Sequence, residues 1–319
     1  MIQNTQEFIV APNQAKMRLD LFLVPILSGY SRAQIQKMVK NGDIAVNGKK
    51  ATPHFFLQEG DRVTHSVPQE KPSAMIPEIE VIAETPDYLV INKPSGVVVH
   101  PDSRHKSGTV VDFLVQFDPQ IAKVGENPTR PGIVHRLDKE ASGLLLVAKT
   151  EESYRHFKKQ FQTRVTEKEY TVLVHGGGLA SHGEIDSAIA RATSGRMKAL
   201  PKAKRVVDLF KLQEKETGRD ARTLYNVLEA RGPYTLLSVQ TKTGRTHQIR
   251  VHFFSIGHAV VGDPLYRSKK DQLKEGDSIR LFLHASRLAF QDMNGDRKEF
   301  RLALAKDLQN FWDKVKMSV

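Results

Sequence analysis

Cysteine is absent from this sequence of 319 residues. Without thiols the chain has no disulfide framework, no thiolate zinc or iron–sulfur site and no cysteine nucleophile. Aromatic residues make up only 7% of the chain, and tryptophan occurs once, as Trp312. This low aromatic content argues against a lectin-like surface and against the aromatic belt of a membrane protein.

Long hydrophobic runs are lacking as well. The longest strongly apolar stretch, residues 144–148, is far shorter than the roughly 20 residues that a membrane-spanning helix needs. Residues 1–7 have no basic head followed by an apolar core, so no secretory signal is visible. We therefore expect a cytoplasmic protein that makes no contact with membranes, and we expect it to be a monomer.

Acidic residues are outnumbered by basic ones. The chain has 36 Asp and Glu against 48 Lys and Arg, which gives a formal net charge of +12. This charge favours a polyanionic partner, although basicity alone does not separate nucleic acid from acidic lipid. Hydrophobic residues at 39% are enough for a packed core, which excludes disorder throughout the chain.

Several chemical signatures are also missing. The sequence has no phosphate-binding loop, no His-Glu-x-x-His zinc helix and no Gly-x-Gly-x-x-Gly after a strand. His247 and His252 are five residues apart, which does not place them on one helix face as metal ligands. We therefore expect neither a metal ion nor a cofactor.

Proline marks the clearest division of the chain. Pro68, Pro72 and Pro77 fall within residues 67–77 and deny that stretch regular hydrogen bonding, which is typical of an extended linker. We predict a first domain over residues 1–72 and a second over residues 73–319. Each side of the linker has an apolar pattern of its own, as an independent domain requires.

The first domain is predicted to contain two helices and a hairpin. Apolar side chains in residues 19–26 have the spacing of an amphipathic helix, and Ser31 opens a second helix with a capping box. Residues 43–48 alternate into an Asn-Gly turn, which indicates a hairpin. A small α/β module is the expected result.

This series resembles the small RNA-binding domain named after ribosomal protein S-four. The matching segments are residues 18–20, 31–32, 42–48 and 60–63. The resemblance implies that Arg32, Lys37 and Lys40 on the second helix bind RNA. Taken one residue at a time, the same three cations fit an ordinary solvated helix face.

The second domain is dominated by strands with helices between them. We predict a buried central strand over residues 143–148, a helix capped by Thr150, and a helix from about Thr246 that ends before Gly257 and turns Ile256 inward. Residues 191–205 contain basic but no acidic side chains, and we expect an irregular arm that contacts phosphates. The fold class is α+β.

Polar residues immediately precede the predicted central strand, in the order His-Arg-Leu-Asp-Lys-Glu from residue 135. Asp138 thus lies at the mouth of a core, where a carboxylate has to be paired with a cation. The simplest interpretation is a turn aspartate with Arg136 as its partner on the surface. A glycosidase pair of Asp138 with Glu140 is weaker, because a spacing of two residues says little about the separation that this mechanism needs.

The stretch resembles the signature of the RluA/RluD-type pseudouridine synthases, His-Arg-Leu-Asp-x-x-Thr-Ser-Gly-Leu-Leu. Further matches follow in the family's order and cover essentially the whole chain: residues 92–96, 100–101, 168–170, 243–252, 262–266 and 283–285. The resemblance implies a catalytic domain built on a larger mixed, mainly antiparallel sheet. Ala141 replaces the usual threonine, which removes a hydroxyl next to the catalytic loop.

The resemblance also implies roles for three catalytic residues. Asp138 matches the catalytic aspartate, which acts at the ribose as nucleophile or as base; both roles stay open. Arg250 matches the arginine that pairs with this aspartate and keeps it ionised. Tyr170 matches the tyrosine that stacks on the target base and assists proton removal from carbon five, although the residue taken alone fits an ordinary strand aromatic.

Three further positions are implied to contact the RNA. Arg136 matches the arginine that enters the stack in place of the flipped nucleotide, a step that is required because the reacting atoms are inaccessible in a stacked helix. Ile249 is expected to line the pocket as an apolar wall. His247 is expected either to contact RNA or to order the turn into its helix.

The sequence thus predicts an RNA pseudouridine synthase. Large-subunit ribosomal RNA is the expected substrate, with transfer RNA as the alternative. A non-catalytic, ribosome-associated RNA-binding protein would need only the first domain and the basic charge, but the joint presence of Asp138, Tyr170 and Arg250 argues against it. A carboxylate hydrolase would need a second placed carboxylate or a metal, and the sequence offers neither.

Overall fold

The computed structural model describes residues 5–27, 30–66, 75–102, 105–200, 218–271 and 279–317. The chain divides into two compact units, Met1–Ala74 and Met75–Val319. Most of the predicted linker, residues 67–74, lies outside the described residues, so the boundary at residues 72 and 73 stays a prediction. No helix among the described residues is long and apolar enough to cross a membrane.

The first unit packs two helices on a small antiparallel sheet whose strand order is β1-β4-β2-β3. The elements are β1 (Thr5–Ile9), α1 (Leu19–Ile26), α2 (Arg32–Asn41), β2 (Ile44–Val46), β3 (Lys49–Lys50) and β4 (Arg62–Ser66). The predicted capping box is present, since the Ser31 side chain accepts from the Gln34 backbone N–H. Gly42 ends α2 with a φ of 88°, a conformation in which a Cβ would be strained.

A buried carboxylate connects the two helices of the first unit. Asp20 is fully buried and accepts hydrogen bonds from Arg18, Arg32 and Gln36. These bonds and the two positive charges hold the pKa of Asp20 far below its usual value, although burial alone would raise it. Arg32 is therefore an ion-pair partner in this fold, whereas the side chains of Lys37 and Lys40 are exposed on α2.

The second unit is built on a large mixed sheet, in which nine strands are described. Its order is β5-β6-β7-β14-β8-β13-β12-β9, with β15 paired to β14. The pairings are antiparallel except for that of β7 with β14. The strands are β5 (Glu80–Glu84), β6 (Tyr88–Lys93), β7 (Ser142–Ala148), β8 (Glu167–His175), β9 (His182–Asp186), β12 (Arg222–Arg231), β13 (Tyr234–Thr241), β14 (Leu283–Gln291) and β15 (Arg297–Arg301).

Helices cover this sheet, and a small hairpin lies beside it. The helices are α3 (Val110–Phe117), α4 (Glu151–Thr163), α5 (Gln248–Ser255) and α6 (Lys306–Met317), and the hairpin strands are β10 (Ile189–Arg191) and β11 (Met197–Ala199). The irregular arm predicted from residue 191 is thus wrong up to residue 199, while residues 201–217 lie outside the described part. The inward position of Ile256 is also wrong: α5 ends at Ser255, and Ile256 is 41% exposed.

Strand β7 is the predicted central strand, and all seven of its residues are buried. Leu145 and Val147 pack into one apolar cluster, while Leu144 and Leu146 pack into another on the opposite face. Gly143 has a φ of 112°, and a Cβ there would lie 2.3 Å from the backbone oxygen of Ala285. Only glycine permits this close approach of β14, so the loop that precedes β7 is held firmly against the centre of the sheet.

Candidate active site

A cleft in the second unit brings together all six site residues that the sequence predicts there. Its lining includes the loop before β7, the buried part of β8 and the start of α5. The predicted residues in this lining are Arg136, Asp138, Tyr170, His247, Ile249 and Arg250. Residues more than a hundred positions apart in the sequence therefore meet in one pocket, which we call the catalytic pocket.

Arg250 is fully buried in this pocket and binds two carboxylates. Its Nη1 donates to Oδ2 of Asp138 at 3.1 Å, while Nε and Nη2 donate to the two oxygens of Asp263 at 2.7 and 2.8 Å. Burial alone would lower the pKa of Arg250, but the bonds to Asp263 and the charge of Asp138 raise it above its ordinary value. The predicted pairing of Arg250 with Asp138 is present.

The two carboxylates differ in their access to solvent. The Asp263 side chain is fully buried, and its Oδ1 also accepts from the backbone N–H groups of Leu265 and Tyr266. The Asp138 side chain is 15% exposed, and Arg250 is its ion-pair partner among the described residues. Asp263 is thus committed to holding Arg250, whereas Asp138 stays open to a ligand in the pocket.

Tyr170 lies on β8 beside Asp138. Burial, with the negative charge of Asp138 nearby, raises the pKa of Tyr170 to about 12. The phenol is therefore protonated at neutral pH. A neutral ring in a pocket that Leu137, Ile249 and Leu283 also line is suited to packing against a flat heterocycle.

A buried lysine anchors the loop that carries Asp138. Lys93 is fully buried at the end of β6, and its Nζ donates to the carbonyl oxygens of Pro94, Val97 and Lys139 at 2.8, 2.8 and 3.1 Å. Burial lowers the pKa of Lys93 to about 7, and the negative charges of Asp138 and Glu140 oppose that shift. The ammonium form supplies all three donors, so it holds the backbone of residue 139 in place.

Two more residues of the same loop are fixed by packing. The Nε2 of His135 accepts from the backbone N–H of Leu146 at 2.9 Å, and its ring stacks on Phe161 at 4.4 Å. Burial lowers the pKa of His135 to about 3, so the ring is the neutral acceptor that this bond requires. Ala141 is 1% exposed within an apolar cluster, an environment in which a methyl group leaves no polar atom to satisfy.

His247 occupies the entrance of α5. It is the N-cap residue with a φ of 55°, and its Nδ1 lies 2.9 Å from the Tyr266 hydroxyl. The same hydroxyl accepts from the backbone N–H of Met197 in β11. The Arg250 guanidinium lies 5.2 Å from the Tyr266 ring centre. Tyr266 thus connects hairpin β10–β11 to the catalytic pocket.

Lys93, Asp263 and Tyr266 lie within segments that match the family, but no role for them was predicted from the sequence. A signal for Asp263 was available: one carboxylate cannot accept from all five N–H groups of an arginine, so a buried Arg250 needs further acceptors, and a second acid is one of them. The role of Lys93 depends on backbone carbonyls that come together only in the folded loop. No pattern of side chains in the sequence reveals such an arrangement.

A groove of about 480 Å³ adjoins the catalytic pocket. It lies between α4 and the segment that joins β13 to α5, and it shares Arg136, Lys168 and Gly244 with the pocket. Its charged lining is largely basic, with one acid, Glu167. The cations are Arg136, Lys158, Arg164, Lys168, Lys242 and Arg245.

No three His, Asp or Glu side chains in the described ranges come together in a way that could hold a metal ion. The remaining predicted RNA contacts, Arg32, Lys37 and Lys40, belong to the first unit.

Comparison with known proteins agrees with this architecture. A family model described as RNA pseudouridylate synthase matches residues 87–255, and an S4 domain model matches residues 17–63. An uncharacterized RNA pseudouridine synthase of Aquifex aeolicus is 42% identical over 262 residues, which cover 80% of this chain and 78% of that protein. Ribosomal large subunit pseudouridine synthase D of Yersinia pestis is 33% identical, with 94% and 91% covered.

A solved structure shares the fold. The structure described as human RNA pseudouridylate synthase domain containing 1 matches with a TM-score of 0.56 and 25% identity. The match covers 75% of this chain and 95% of the human one. The mixed α+β fold, with a largely antiparallel sheet, was correctly predicted. With the family model matching more than half of the chain, this protein belongs to the RNA pseudouridylate synthase family and is a pseudouridine synthase with an S4 domain.

Proposed function

We propose that this enzyme converts uridine to pseudouridine in large-subunit ribosomal RNA, with Asp138 as the catalytic residue. The relatives named ribosomal large subunit pseudouridine synthase D support the choice of RNA. The single observation that carries the assignment of Asp138 is its ion pair with the fully buried Arg250 in a pocket that stays open to solvent. No other carboxylate in the lining of that pocket is available to a ligand.

The reaction breaks the glycosidic bond of uridine, rotates the uracil and joins its carbon five to the ribose. Asp138 acts at the sugar, as nucleophile or as base. Arg250 contacts Oδ2 of Asp138, and Oδ1 accepts no hydrogen bond from the described residues. The free oxygen is the atom that would reach the ribose, while the hydrogen bond from Arg250 orients the carboxylate.

The uracil is held by the apolar side of the pocket. Tyr170 stacks on the base, and Ile249 packs against the base from α5. The raised pKa of Tyr170 keeps the phenol protonated, so its contribution to proton removal from carbon five requires a base to take the phenol proton. Arg136 is exposed at the junction of pocket and groove, which suits its proposed entry into the RNA stack when the uridine flips out.

We also propose a separate role for each of the two domains. Residues 1–72 form an RNA-binding domain in which Lys37 and Lys40 contact the RNA, while residues 73–319 form the catalytic domain. The contribution of His247 is to fix the entrance of α5 through Tyr266. We place the enzyme in the cytoplasm, as a monomer.

The test is tritium release from RNA labelled at carbon five of uracil, because the hydrogen on this carbon leaves when the new bond forms. Transcripts of large-subunit ribosomal RNA and of transfer RNA are compared as substrates. We expect release from the ribosomal transcript. Release from the transfer RNA transcript alone would mean that transfer RNA, not ribosomal RNA, is the substrate. If the protein binds both transcripts but releases tritium from neither, the result would support a non-catalytic RNA-binding protein. Mapping pseudouridine in a strain without this gene then identifies the uridine.

A further inference from the structure

Lys168 lies where the catalytic pocket meets the groove. It is part of β8, two positions before Tyr170, and alternate residues of a strand point to the same face of the sheet. Lys168 lines both cavities. A uridine that places its base against Tyr170 would therefore bring its backbone close to this lysine.

The charge on Lys168 has no anionic partner among the described residues. Its Nζ lies 5.6 Å from the centre of the Phe161 ring, and burial lowers its pKa. The neighbouring acid, Glu167, is already paired with Arg287 and Arg297. A desolvated ammonium group without a carboxylate is costly unless an anion binds to it.

Two other cations of the groove lining lack anionic partners in the same way. Arg164 is the C-cap residue of α4, with a φ of 63°. Lys242 follows β13 on the opposite wall of the groove. Neither forms an ion pair with a described residue, in contrast to Lys158, whose Nζ lies 2.7 Å from Glu126. Lys168, Arg164 and Lys242 are thus cations of the groove lining that have no ion-pair partner among the described residues.

Gly244 leaves space in front of Lys168. Its backbone does not have a positive φ, so the conformation there does not require glycine. A Cβ on Gly244 would lie 3.7 Å from Nζ of Lys168, an ordinary contact distance. The missing side chain therefore leaves the ammonium group accessible from the groove.

We propose that Lys168, assisted by Arg164 and Lys242, binds the backbone phosphate next to the target uridine, and that the groove carries the adjoining RNA strand. This inference rests on the proposed function. Phosphate contacts set the position of a nucleic acid without reading its sequence. A cation at this rim also offsets the repulsion between the phosphate and the carboxylate of Asp138, so it lets the ribose approach.

The test is the salt dependence of RNA binding by the full-length protein, measured with a large-subunit ribosomal RNA transcript. Each lost phosphate contact lowers the slope of log K against log salt by roughly 0.7 to 0.9. We expect this loss for Lys168→Met and retention of the slope for Lys168→Arg. Lys159→Met is the matched control, since Lys159 is an exposed lysine of α4 outside the groove lining.

Equal slopes for Lys168→Met and Lys159→Met would overturn the phosphate subsite. Gly244→Ala provides a second route that does not depend on removing the lysine: we expect an unchanged melting temperature with weaker RNA binding. Wild-type binding by this variant would also contradict the subsite. These outcomes are separate from the test of the proposed function, which measures tritium release from labelled RNA rather than the salt dependence of binding.

Discussion

Asp263 holds Arg250 through both carboxylate oxygens, and both side chains are fully buried. This pairing uses Nε and Nη2 of the guanidinium and leaves Nη1 directed at Asp138. The orientation of the arginine is therefore set by a buried residue that does not line the pocket. Asp138 receives a fixed positive charge without having to position it.

The first prediction concerns this buried pair. Asp263→Asn removes one of the two negative charges that compensate Arg250, the fully buried one, and breaking a buried pair in this way costs about 3–5 kcal/mol in the free energy of unfolding. Asp307→Asn is the control, because Asp307 is 53% exposed in its ion pair with Arg280 and such a pair contributes about 0–1 kcal/mol. Denaturant unfolding of both variants measures the difference. Equal losses would contradict the role of Asp263.

The second prediction concerns Tyr170. Tyr170→Phe retains the ring and with it most of the roughly 1–3 kcal/mol that stacking on a base contributes, so it is expected to retain more activity than Asp138→Asn. Because the pKa of Tyr170 is raised to about 12, the wild-type rate should show no ionisation of this group below pH 10. If Tyr170→Phe binds RNA but is as inactive as Asp138→Asn, the phenol takes part in proton transfer.

The third prediction concerns acid stability. Burial lowers the pKa of His135 to about 3 and those of His100 and His284 to about 4. Between these values and the ordinary 6.5, the unfolded chain binds more protons than the folded one. These three histidines therefore do not reduce the free energy of unfolding above pH 6.5. They lower it progressively as the pH drops from 6.5 towards 4.

Variants of two histidines test that window. In His135→Gln the amide oxygen keeps an acceptor for the Leu146 N–H but does not titrate, so thermal melts from pH 7.5 to 4.5 should show a flatter decline. His182→Asn, at an exposed position of β9, should decline as steeply as the wild type. If His135→Gln has the same pH profile as the wild type, His135 does not cause this loss of stability.

The fourth prediction concerns the first unit. Lys37→Gln combined with Lys40→Gln removes two exposed charges from α2, so the salt slope of RNA binding should fall by about 0.9 per lost phosphate contact. Arg32 is left unchanged because its guanidinium binds Asp20. Lys269→Gln with Lys270→Gln removes the same charge from the second unit. A slope identical to the wild type for the α2 variant would show that these lysines do not contact RNA.

Local patterns predicted much of this architecture. The capping box at Ser31, the helix cap at Thr150 and the buried strand β7 are short-range features, and each was predicted from neighbouring residues. Pairing of Arg250 with Asp138 came from the family resemblance, since residues 112 positions apart give no local signal.

What the sequence did not reveal depends on backbone geometry. Lys93 binds three carbonyl groups, and carbonyl groups have no residue signature. Hairpin β10–β11 was missed because its strands are only three residues long and each contains a basic side chain. Ile256 matched the helical spacing but follows the last turn of α5, so its apolar side chain lies at the surface.

Single-turnover tritium release by Asp138→Asn tests the central claim most directly. The substitution is close to isosteric, so the fold and the affinity for RNA should be nearly unchanged, and both are checked first by thermal melting and by filter binding. Loss of the anion that faces Arg250 is expected to cost a modest part of the stability.

An amide serves neither as a base nor as a nucleophile towards the ribose. The account therefore predicts no tritium release from labelled ribosomal RNA by this variant at any pH, alongside release by the wild-type protein under the same conditions. Substantial release by a folded, RNA-binding Asp138→Asn protein would contradict the assignment of Asp138 as the catalytic residue.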